Sequence, residues 1–152
     1  MSFASRVTLV VLGLLLSACS TQSSQTDVKL SRTGSWVLLP LVNLAQAPQA
    51  AEGAEQILFS VLAANGLTVT PAPQQQQPAD EFPLEDSQRL QQALQWARQR
   101  GDTYAITGSV EEWQYKSGLD GEPAVGITLR VIEPASGRIL WSASAARAGW
   151  SR

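Results

Sequence analysis

Histidine is absent from all 152 residues, and cysteine and methionine occur once each. Without His the chain lacks the usual general base at neutral pH and the commonest metal-ligating side chain. A single Cys precludes any disulfide within the chain. Charge is also sparse, with 11 bases against 13 acids, and the bases form no cluster. Phosphate binding needs grouped Lys and Arg, so nucleic acid is not an expected partner. Long apolar runs are scarce too. The clear one, Val7 to Leu16, falls well short of the ~20 residues that cross a bilayer as a permanent helix.

That short run is informative because of what surrounds it. A charged start with Arg6, the apolar segment, and Leu16-Ser17-Ala18-Cys19 make a secretory signal that closes on Cys. A small-residue signal ending in Cys is the bacterial lipobox. Acylation of Cys19 and removal of residues 1–18 are therefore expected, with no thiol left over for nucleophilic chemistry. Ser20 follows in place of the Asp that would favour inner-membrane retention, so the outer membrane is expected, with the chain facing the periplasm. Loss of the signal removes one base and no acid, moving the net charge from −2 to −3. Residues 19–34 are polar, rich in Ser, Thr and Gln, and aperiodic, and read as a flexible lipidated tether.

Residues 35–152 suit one periplasmic domain. The run Ser35 to Leu41 is apolar on both faces, as an inner strand of an α/β sheet would be. Ala54, Leu58, Val61 and Leu62, widened by Ile57 and Ala64, predict a helix over about 49–65, stopped at Asn65-Gly66. Leu67 to Thr70 reads as a second strand. Residues 71–85, with repeated Pro and four consecutive Gln, read as a loop. Leu90, Ala93, Leu94 and Ala97 predict a second helix from Asp86 or Ser87 to Arg100, with Trp96 at its margin. Alternating strands then follow over 104–115, 124–134 and 138–146. The expected fold is α/β: a mixed sheet built as β-α-β-α and a three-stranded antiparallel meander, with helices packed on the sheet.

Two carboxylate pairs are candidates for acid–base chemistry, Glu111-Glu112 and Asp120-x-Glu122. Neighbours on a strand point to opposite faces, so Glu111 and Glu112 are not expected to share a substrate. Acids on a Gly-rich turn read as solvated loop residues. The chain is expected to be no enzyme and to use no cofactor or metal.

The lipobox, WVLLPLVN, the helix opening PQAAEGAE, and the stretch GSVEEWQYKSGLDGEPAVGITLRVIEPASGRILWSASAARAGWS together resemble the PelC family of outer-membrane lipoproteins. The general pattern is shared with the TolB amino-terminal, CsgG and LpoB-like domains. The resemblance implies a dodecameric homo-oligomeric ring beneath the outer membrane. Its acidic surface would pass the cationic Pel exopolysaccharide to the β-barrel protein PelB and so support biofilm formation. In that setting Asp120, and next Glu122, become candidates for carboxylates lining the polymer path, although Asp120 also suits a turn cap. Trp150 suits a membrane-interface anchor or packing against a neighbouring subunit or a further helix. Trp141 lies in the alternation and reads as core, with interface contact as its other reading, whereas Trp36 and Trp113 read as packing. A scaffold or activator lipoprotein, acting by protein contact on an envelope enzyme or transporter, is the alternative.

Overall fold

The computed structural model describes residues 20–26, 28–73, 85–114 and 123–148. The elements are β1 (Ser20–Thr26), β2 (Trp36–Asn43), α1 (Ala50–Ala64), β3 (Val69–Pro71), α2 (Asp86–Arg100), β4 (Tyr104–Gln114), β5 (Ala124–Glu133) and β6 (Arg138–Ala148). They build one six-stranded sheet in the order β1-β6-β5-β4-β2-β3. β2 runs parallel to β3 and β4, and β4, β5 and β6 form the antiparallel meander. This is the mixed α/β sheet that the hydrophobic pattern implied.

The two helices cover opposite faces of the parallel half. Val37, Leu39 and Ala105 pack against Ala93 and Ala97 of α2. Trp36, Leu38 and Ile106 turn the other way, where Leu58 and Leu62 of α1 pack on them. Pro40 does not end β2. A register shift between Leu38 and Leu41 absorbs it, and β2 continues to Asn43. The shift also changes parity: Leu39 faces α2, but Leu41, two residues on, joins Ala50, Ala51 and Ala54 of α1. The α1 stripe is accordingly narrower than expected, because Ile57 and Val61 are exposed. At the end of α2, Gly101 takes φ 73° and Asp102 N–H returns to the Ala97 carbonyl, a glycine-terminated cap directly after Arg100.

The tether expectation fails over Ser20–Thr26. These residues are a strand, paired antiparallel to β6 from Ser20↔Arg147 to Thr26↔Trp141. Without β1, β6 would present a row of unpaired backbone groups at the sheet edge. A polar edge strand needs only its backbone to pair, so hydrophobic periodicity cannot reveal it.

The other edge is closed by side chains. β3 pairs only with Trp36–Leu38, so the upper part of β2 has no strand beside it there. Leu41 N–H donates to Glu55 Oε1 of α1 at 2.7 Å, and Asn43 N–H donates to Asp86 Oδ2 of α2 at 2.8 Å. Asp86 also pairs with Arg89. Burial raises the Glu55 carboxyl above its ordinary value of 4.5, outweighing the Leu41 hydrogen bond. Burial acts on Asp86 as well, but the Asn43 and Arg89 hydrogen bonds and the Arg89 charge together hold it below 3.8.

The linkage signs of the two acids are opposite. The Glu55 contribution is complete below its unfolded value and lost as pH rises through the raised native one. The Asp86 contribution is complete above its unfolded value and lost as pH falls through the native one. Glu55→Gln keeps an acceptor for Leu41 N–H but removes the buried charge. Its melting temperature, relative to wild type, is expected to be a few degrees higher at pH 7 than at pH 4. Thermal melts at the two pH values check this, and a difference independent of pH would contradict it.

Candidate functional site

The strand register collects several chain ends at one end of the sheet. Gln114 of β4 stands opposite Ala124 of β5, and Ala124 stands opposite Ala148 of β6. Ser20 of β1 pairs with Arg147 beside them. Cys19, Asp120, Glu122 and Trp150 lie outside the described residues. The described residues that the chain joins to them nevertheless share this one end: Ser20, Gln114, Pro123 and Ala148. Of the sequence-derived candidates, Trp141 is described, and it is half-buried against the cluster of Trp36, Ile106 and Val131. Trp36 is core, and Trp113 packs half-buried beside Leu41, Ala54 and Val110.

At this same end β4 carries a bulge. The register shifts between Val110, opposite Ile127, and Glu112, opposite Gly126, so Glu111 is the extra residue. A bulge breaks strict alternation, and the expectation that Glu111 and Glu112 are kept apart is corrected here. A Cβ placed on Gly126 would stand 3.4 Å from Cβ of Glu112 and 3.8 Å from Cβ of Glu111. Both acidic stems therefore rise beside the same glycine. Sequence reasoning missed this because nothing in EEW announces the extra residue.

Hydrogen bonding fixes one of the two. Glu111 Oε1 accepts from Thr128 Oγ1 at 2.7 Å and from Ser109 Oγ at 3.3 Å, and Thr128 is linked to Ser144 at 2.8 Å. This polar ladder lies on the α2 face, because Ser109 shares the parity of Ala105 along β4. Glu112 and Gln114 are exposed beside it. They border a shallow pocket of about 360 Å³ whose other walls include Leu44, Gln46 and Gly126. Carboxylates with side-chain amides around them suit a cation that also carries hydroxyl or amide groups.

Among the described residues no group of three or more His, Cys, Asp or Glu is disposed to hold a metal ion. No described helix is long and apolar enough to cross a membrane. The site offers surface charge and hydrogen bonds, held in place by a rigid sheet.

Neither a family model nor a curated protein sequence matches the chain. Solved structures do. The PelC dodecamer from Paraburkholderia phytofirmans is 34% identical, with a TM-score of 0.69, over 88% of this chain and 84% of that one. A point variant of that dodecamer matches equally well. Lipoprotein GNA1162 from Neisseria meningitidis matches at 18% identity and TM-score 0.61, over 76% of this chain and 83% of its own. The LpoB C-terminal domain from Escherichia coli matches at 20% and 0.51, over 82% and 88%. The last two share the fold alone. Identity of this extent over most of both chains shows that this chain belongs to the PelC family.

Proposed function

We propose that the chain is a periplasmic-facing lipoprotein of the outer membrane, held by lipid on Cys19, whose copies close into a ring. The ring helps pass a cationic exopolysaccharide of the Pel type to its outer-membrane export channel, the β-barrel protein PelB. The observation that carries this reading is the 34% identity to a protein that forms a dodecamer. The acidic bulge gives it a physical basis. A single subunit is only mildly acidic, but a ring repeats Glu111 and Glu112 in every copy and concentrates their field in one place. Asp120 and Glu122, in the segment that leaves the same sheet end, add to that field.

Weak contacts repeated around a ring suit a polymer that must keep moving. One exposed ion pair contributes only ~0–1 kcal/mol, too little to hold a chain in place. No catalytic step is required, so the protein acts as a conduit and not as an enzyme. The anchor and Trp150 keep it against the membrane, where an indole suits the boundary between lipid and water. The test is the mass of the detergent-extracted full chain. A ring of many copies is expected, and a species that is monomeric at every concentration would contradict the reading.

A further inference from the structure

The meander exposes one apolar face. On β5 and β6 the residues Val125, Ile127, Leu129, Ala143 and Ala145 stand on the same side, with Ile127 opposite Ala145, Leu129 opposite Ala143, and Val125 opposite Arg147 at the end of the face. α1 does not extend over them, because it packs on β2, β3 and β4. Its orientation is fixed at two points. Glu55 reaches the β3-side edge of β2 through Leu41 N–H, and a Cβ placed on Gly53 would stand 3.6 Å from the ring of Trp113 on β4. The flank that begins at Gly53 and continues at four-residue spacing through Ile57 and Val61 therefore turns toward the meander.

That flank is not core. Ile57 is 57% exposed, Val61 50% and Val125 39%. Ile127 and Leu129 are only half-buried, at the margin of the Leu41 cluster. The result is an apolar groove, with β5 and β6 as its floor, α1 as one wall and Trp113 at its end. Contiguous exposed apolar surface of this kind marks an interaction site.

We infer that this groove is the seam between neighbouring copies in the ring, covered by a second copy of the same chain. The inference rests on the ring proposed above and assigns its contact face. A second copy is the occupant because the relative that is 34% identical over most of its length is a dodecamer. A closed ring with one rotation axis uses two different patches per subunit, so every copy must bury one such face against the next. The acidic bulge is compatible with this seam. Glu111 bonds Thr128 on the other side of the sheet, so the groove is filled without covering the carboxylates.

The experiment is mass photometry of the detergent-extracted full chain, for wild type and for Ile57→Glu combined with Val61→Glu. Both side chains are exposed, so the circular-dichroism melt should stay at the wild-type value while the ring falls to monomers. Phe59→Glu, on the other flank of α1, should leave the ring mass unchanged. A second readout does not depend on how the double variant folds. Ala145→Cys is labelled by maleimide in the assembled ring and after dilution to subunits, and labelling should be at least tenfold slower in the ring. A double variant that keeps its ring, or equal labelling in both states, would overturn the seam while leaving the ring intact. A wild-type chain that never assembles would overturn both the ring and its seam.

Discussion

Cys19→Ser is expected to move the protein from the outer-membrane fraction to the soluble periplasm. No described helix is long and apolar enough to cross a membrane, and in the function proposed above the lipid on Cys19 carries the attachment. One acyl chain gives only marginal binding, whereas several chains on one residue give a stable anchor, at about 0.8 kcal/mol per buried CH₂. Loss of the thiol removes all of them at once, and signal removal should be impaired as well. The fold should survive, because β1 begins at Ser20 and its pairing with β6 is made by backbone. Fractionation in cells lacking partner proteins checks the result. A variant still tightly bound to purified outer membranes would contradict the anchor.

The second large effect concerns charge. Glu112→Lys should cut exported polymer several-fold at matched protein level, and combining it with Asp120→Lys should reduce it further. Glu112 is the cleaner probe of the bulge, because Glu111 also holds Thr128 and Ser109 in place. Each reversal turns one attraction into one repulsion, a small energy at one exposed site, but the ring repeats it in every copy. Asp120→Asn should have a milder effect, since it removes charge while keeping shape and most hydrogen bonding. Glu122→Lys serves as the parallel case from the same segment. Secretion at the wild-type level in all of these variants would show that the acids at this end play no part in transport. Unfolding by Asp120→Asn would instead assign that residue to capping a turn.

The sequence was most readable where hydrophobic periodicity and stop signals agree. The run over 35–41, the helix ending at Asn65-Gly66 and the three alternating strands near the carboxyl end all appear close to their expected bounds. What escaped is of one kind. β1 carries no apolar alternation, so only the free edge of β6 explains why it is a strand. The shifts at Pro40 and at Glu111 reverse side-chain parity, and period-two reasoning fails at each. The first sends Leu41 to α1, and the second brings two acids to one glycine. Ile57 and Val61 look like core because the helical pattern records apolarity but not whether a partner element covers it. Cys19, Asp120 and Trp150 lie outside the described residues, and what the sequence could not show is that the register of β1, β4, β5 and β6 gathers their described neighbours Ser20, Gln114, Pro123 and Ala148 at one end.

In the function proposed above, this end of the ring attracts a cationic sugar polymer by charge. The most direct measurement is retention of a partly deacetylated amino-sugar polymer by the assembled, detergent-extracted protein as salt is raised. Screening shortens from about 10 Å at 0.1 M to about 3 Å at 1 M, so exposed charge pairs should be largely lost over that range. Strong retention at low salt, release by 1 M, and little retention of a fully N-acetylated polymer of the same length are expected. Equal retention of both polymers, or retention unchanged by salt, would contradict it.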